Sequence, residues 1–183
     1  MTIKPITTTL IVINLIIFII INVNPTFHKY ILLLFGLNDF TYKYFYTIIT
    51  SMFLHANIMH IAFNMLALYQ LGNIIENNFS KSRYLLTYFL SGLAGGIFSI
   101  IYMKIFNYNI NVIGASGAIF GLYAYYSFIY NKMNEFYINV ILFHALIFLT
   151  GMNIAWYAHL GGITIGLLSA YQFKKSNKNL YFL

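Results

Sequence analysis

The chain has 183 residues, of which 61% are hydrophobic, 20% aromatic and only 7% charged. A soluble domain carries roughly a quarter charged residues, so this composition belongs to an integral membrane protein. There is no cysteine, which excludes structural disulfides, thiolate metal sites and a cysteine nucleophile, and the only acids are Asp39, Glu76 and Glu135. The net charge of +7 is scattered between apolar stretches and forms no basic stripe, so it reads as membrane topology rather than as a nucleic-acid surface.

Six apolar spans of about bilayer-crossing length follow one another, at residues 7–23, 55–75, 84–103, 115–130, 136–150 and 154–173. They predict an all-α, six-helix membrane bundle occupying residues 1–183 as a single polytopic domain. The first span lacks a small-x-small cleavage site and reads as a retained helix, not a signal peptide. Residues 24–54 are rich in Phe and Tyr but broken by Pro25, Gly36 and Asp39, which predicts short helices lying in the membrane interface. The uncharged run from Phe136 to Phe173 is too long for one crossing, and Gly151-Met152-Asn153 is its natural break.

With six spans, one side collects Lys4, Lys81, Arg83, Lys132, Lys174, Lys175 and Lys178, and the other only Lys29, Lys43 and Lys104. The positive-inside rule then places both termini in the cytoplasm of a bacterial-type cytoplasmic membrane. Residues 24–54, the start of the second span, Ser116 and His159 fall toward the outer side.

Three stretches carry chemistry. Ser116 stands in V-I-G-A-S-G-A-I-F-G, residues 112–121, at the expected start of the fourth span. Free backbone N–H groups and the helix dipole favour negative charge there. His159 follows 43 residues later in A-H-L-G-G-I-T-I-G. Gly162 and Gly166 share its helical face and Gly117 and Gly121 flank Ser116; small residues so spaced let membrane helices approach closely. A neutral histidine beside a serine hydroxyl is the minimal activated nucleophile. In H-A-N-I-M-H-I-A-F-N, residues 55–64, His60 and Asn64 share one helical face and can add donors to the backbone at Ser116 for an oxyanion. His55 lies about 140° around that helix. No acid is well placed to complete a triad, because Asp39 is in the first loop while Glu76 and Glu135 lie on the cytoplasmic side. The expected arrangement is a dyad.

Taken together, H-x-x-x-x-H-x-x-x-N, G-A-S-G-A-I-F-G and A-H-L-G-G-I-T-I-G, in this order from about His55 to Gly166, resemble the rhomboid family of intramembrane serine proteases. The resemblance implies that Ser116 is the nucleophile and His159 its general base. It implies an oxyanion site of His60, Asn64 and the Ser116 backbone, with Gly114 shaping the loop before the nucleophile. It also implies action without metal or cofactor on transmembrane segments of single-span or polytopic membrane proteins, within the lipid bilayer. Two positions depart from the family pattern. Tyr46-Thr47 stands where many members carry Trp-Arg, and Phe120 stands where a tyrosine commonly stacks on the catalytic histidine.

Plainer readings exist for each residue singly. Ser116 can be a helix-packing position, His55 can hold loop backbone, and His28 can be surface. His144 has no evident partner and reads as a satisfied buried histidine or a minor polar contact. Glu76 reads as a cap or as a partner of Arg83, and Gly92 with Gly96 as close helix packing. A metalloprotease would need a glutamate after a histidine, and an aspartyl protease two aspartates; neither is present. A haem or metal site on His60, His144 and His159 would leave the serine motif idle. A channel would need a mid-span charge. The remaining alternative is a non-catalytic rhomboid-like binder of transmembrane helices, but such proteins usually lose the serine or the histidine, and this chain keeps both.

Overall fold

A computed structural model describes residues 4–38, 41–108, 110–149 and 154–176. Helix α1, Pro5–Ile21, starts on a proline, whose missing N–H costs nothing at a helix's first position. Its first-turn donors are capped from far along the chain. The Glu76 carboxylate accepts from the backbone N–H of Ile6 (2.9 Å) and Thr7 (2.8 Å) and from the Thr7 hydroxyl (2.8 Å). Glu76 is thus a cap, one of its two expected roles, while Arg83, the partner of the other, lies over the Phe173 ring at 4.2 Å.

Helix α2, Pro25–Phe35, also opens on a proline, and the Asn24 side chain accepts from the N–H groups of Thr26 and Phe27. The short α3, Tyr46–Thr50, runs into a 3-10 turn at Ser51–Phe53. Helix α4, Ile58–Asn78, is capped by Asn57, and α5, Lys81–Phe106, by Ser80. Helix α6 spans Ser116–Ile129, α7 Met133–Leu149 and α8 Trp156–Ser176. Among the described residues the only non-helical pairing is an isolated antiparallel bridge between Leu37 and Val112.

Helix positions follow the apolar spans to within a few residues. Helix α4 begins three residues later than expected, because Asn57 rather than a residue near His55 supplies the cap. His55 therefore precedes the helix instead of lying on it. The break at Gly151-Met152-Asn153 and the residue Asp39 lie outside the described residues.

Two helices, α4 and α5, are long and apolar enough to cross a membrane by length and composition, and α1 and α7 are shorter apolar helices. Outward faces are greasy as well: Ile19, Phe63, Leu86, Ile141 and Leu146 are all more than half exposed. Helices apolar on every side belong in lipid or deep inside a larger core, not in water.

At the centre, α5, α6 and α8 pack backbone to backbone. A Cβ on Gly162 would run into the Gly117 carbonyl, and one on Gly166 into the Gly121 carbonyl. On the neighbouring face, a Cβ on Gly161 would lie 2.5 Å from the Ala94 carbonyl oxygen, and one on Gly95 would lie 2.8 Å from that of Ala158. Gly96 packs on a helix as expected, admitting Ile48 of the short α3, whereas Gly92 admits the Met52 side chain from the 3-10 turn. The contacts make α6 and α8 parallel and α5 antiparallel to both, so α6 and α8 start at the same end of the bundle.

Two stability outcomes follow, both readable as the unfolding temperature of purified protein in detergent. Glu76→Ala removes three hydrogen bonds from the start of α1 and is expected to cost about 2 kcal/mol, with Glu76→Gln losing less. Gly162→Val forces α6 and α8 apart and is expected to cost about 3 kcal/mol, whereas Thr164→Ala on the exposed face changes little. A Gly162→Val protein as stable as wild type would refute the backbone contact.

Candidate active site

The segment that delivers Ser116 is strapped to the segment between α2 and α4. Leu37 and Val112 exchange N–H···O bonds of 3.1 and 2.8 Å, and the Asn111 amide donates to the Leu32 carbonyl at 2.8 Å. Two residues after Val112 the Gly114 N–H donates to the Ser51 carbonyl at 2.8 Å. Gly114 itself has φ +118°, a conformation side chains rarely adopt, and a Cβ there would sit 2.7 Å from His60 Nε2. The glycine thus lets the chain turn against the imidazole of α4. Ala115 follows as N-cap, and Ser116 is the first residue of α6. The opening N–H groups of a helix have no intrahelical acceptor, so donors surround the serine.

His159 sits in the first turn of α8, 3% exposed. Its Nε2 lies 2.9 Å from Ser116 Oγ. The Phe120 ring, one turn along α6 from the serine, stacks on the imidazole with centroids 4.1 Å apart and planes at 20°. The phenylalanine at this position therefore provides the stacking face that a tyrosine supplies elsewhere. Gly117 and Gly162 are the touching backbones beneath this pair.

His60 and Asn64 rise on the first turns of α4. Ala56 N–H donates to His60 Nδ1 at 3.4 Å, which leaves Nε2–H as that ring's free donor, on the side of Gly114. The Asn64 side chain is buried and spends one amide proton on the His60 carbonyl at 2.8 Å, keeping the other. His55, fully buried, meets the His60 ring edge-on with centroids 5.0 Å apart, and so packs behind the site. The departure at Tyr46-Thr47 is accommodated locally. Thr47 is buried and its hydroxyl bonds the Thr41 and Tyr44 carbonyls, while the Tyr46 hydroxyl reaches Leu34 O.

One residue was left without a role by sequence reasoning. His144 on α7 brings its Nε2 to 3.0 Å from His159 Nδ1, and its own Nδ1 lies 2.7 Å from the Val140 carbonyl. Phe143 beside it packs on Phe120 and His159. Only the helical phase of α7 relative to α8 could have revealed this, and an all-apolar helix gives no phase. Next to His144 opens a cleft of about 510 Å³, lined also by Tyr102, Asn111, Phe148 and Trp156.

Comparison with known proteins places this arrangement. The family model for the rhomboid domain matches residues 42–176. The rhomboid YdcA of Bacillus subtilis is 30% identical over 142 residues, covering 73% of this chain and 70% of that protein. RHOMBOID-like protein 1 of Arabidopsis thaliana is 34% identical over 135 residues, 68% of this chain but 33% of the plant protein. Rhomboid protease GluP of Bacillus subtilis is 39% identical over a shorter stretch of 74 residues, 40% of this chain and 14% of its own length. The match runs from residue 42 to the end of α8 and takes in His60, Asn64, Ser116, Phe120, His144 and His159, so the chain belongs to the rhomboid family of integral membrane proteins.

Proposed function

We propose that this protein is an intramembrane serine endopeptidase in which Ser116 is the nucleophile and His159 the general base. The observation that carries the reading is the 2.9 Å contact between Ser116 Oγ and His159 Nε2 at the start of a helix. Attack proceeds as the Ser116 oxygen bonds to the scissile carbonyl carbon while its proton passes to His159 Nε2. The carbonyl oxygen becomes an oxyanion among the Ser116 N–H, the His60 Nε2–H and the second Asn64 amide proton. On collapse the C–N bond breaks and His159 returns the proton to the leaving amine. Water, deprotonated by the same histidine, then releases the acyl group from Ser116.

Six bilayer crossings, by α1, α4, α5, α6, α7 and α8, complete the proposal. The lysine and arginine distribution supports cytoplasmic termini and a site toward the outer side of a cytoplasmic membrane. Substrates on this reading are transmembrane segments of single-span or polytopic proteins, cleaved without metal or cofactor. A non-catalytic helix binder has no use for a hydroxyl and an imidazole held in hydrogen-bond contact.

Reconstituted with a single-span substrate, Ser116→Ala and His159→Ala should each lower cleavage by roughly 10⁴-fold or more. A fluorophosphonate should label wild type and not Ser116→Ala; undiminished cleavage by Ser116→Ala would sink the proposal. His60→Leu should cost about 100- to 1000-fold in kcat. Asn64→Ala should cost less, because half of its amide is already committed to the His60 carbonyl.

A further inference from the structure

The Nδ1 edge of the base faces a second imidazole, and the protons along that edge can be assigned from one backbone atom. A carbonyl oxygen only accepts, so the 2.7 Å contact with Val140 O requires the proton of His144 on Nδ1. In the neutral ring Nε2 is then a bare acceptor. Its 3.0 Å contact with His159 Nδ1 makes that nitrogen the donor, which leaves His159 Nε2 bare and pointing at the Ser116 hydroxyl. The chain of donation runs from Ser116 to His159 to His144 to Val140. Every step is neutral.

We propose that His144 is a positioning residue for the reaction proposed above, its Nε2 holding His159 in the Nδ1–H tautomer and in the plane that presents Nε2 to Ser116. This role is filled in soluble serine proteases by an aspartate, and replacing that acceptor with a group that selects the other tautomer is severe. Among the described residues both acids are elsewhere: Glu76 caps α1 and Glu135 sits in the first turn of α7 near Lys132.

Two other uses of the pair are weaker. A metal held between the imidazoles lacks a further ligand, since the described residues contain no group of three histidine or acidic side chains fit to hold one. A purely structural tether would fit the fact that Phe136 is the only buried residue of α7. Such a tether would be indifferent to which ring atom accepts. The geometry is not: His144 must donate at one nitrogen and accept at the other, and Phe120 stacks on the His159 ring.

The test pairs two substitutions with one spectroscopic measurement. His144→Leu keeps bulk and removes the acceptor. His144→Gln places an amide oxygen at the same distance along the side chain as Nε2. On a reconstituted single-span substrate His144→Leu should lower kcat about tenfold, equivalent to about 1.4 kcal/mol, with KM changed less than twofold. The fluorophosphonate labelling rate of Ser116 should fall in parallel. His144→Gln should recover most of the loss. ¹⁵N spectra of histidine-labelled wild type, assigned by single replacements, should show His159 protonated at Nδ1 and bare at Nε2. Wild-type kcat in His144→Leu, an equal loss in both variants, or a His159 protonated at Nε2 would each overturn the proposal. The tautomer is read on wild type without catalysis, so its failure is distinct from failure of the protease reading, which would appear as an inactive wild type.

Discussion

The meeting of two backbones, α6 at Gly117 and Gly121 against α8 at Gly162 and Gly166, is the constraint on which the rest of the molecule depends. Helices in lipid gain nothing from hiding apolar side chains, since the solvent is as apolar as they are; they associate through close packing. Here the packing is as close as peptide planes allow. It makes α6 and α8 parallel and level at their starts, so their first-turn side chains, Ser116 and His159, must meet. A 2.9 Å hydrogen bond between residues 43 apart is thereby a consequence of four missing side chains further down.

The second half of the site hangs on a different principle. Ser116 is fixed along its helix by α8, but its approach path is fixed by hydrogen bonds to the segment before α4, through Leu37, Val112, Ser51 and Gly114. These are backbone bonds between chain segments far apart in sequence, and they leave few of the loop's polar groups to face lipid unpaired. The same strap carries Met52 and Ile48 into the notches left by Gly92 and Gly96. One loop therefore packs on α5 and aims α6, which is why Gly114 can turn directly against His60 with no room for a Cβ.

What could be read from the chain beforehand divides along these lines. The helices were legible because apolar runs of this length have one use, and the pairing of Ser116 with His159 was legible because glycines at helical spacing announce a close approach. His60 and Asn64 could be placed on one face by periodicity alone. The strap was not legible: a single antiparallel bridge leaves no pattern in sequence. Nor was the cap on α1, which joins Glu76 to Ile6 and Thr7 across some 70 positions. Gly92 looked like a helix-packing glycine because a notch for a methionine and a notch for a helix are written with the same letter. His144 was invisible for a related reason. Its helix is apolar around its whole circumference, so nothing marked which side would face α8.

That histidine also bears on how the proposed hydrolytic site would work in a membrane at all. A buried carboxylate would hold the base firmly, but outside water it costs several kcal/mol unless fully paired. A neutral imidazole gives up the charge and keeps the directionality. In the proposed mechanism His159 becomes a buried cation when it takes the Ser116 proton, and it then has two stabilising neighbours in place. One is the His144 Nε2 lone pair at 3.0 Å, and the other is the Phe120 face at 4.1 Å. A cation over an aromatic face gains about 2 kcal/mol when desolvated, and phenylalanine offers that face without a hydroxyl needing its own partner. Under the proposed mechanism the shortage of acids and the phenylalanine in place of a tyrosine are two sides of one solution, in which the charge created at His159 is met by lone pairs and π-electrons rather than by a permanent counter-ion.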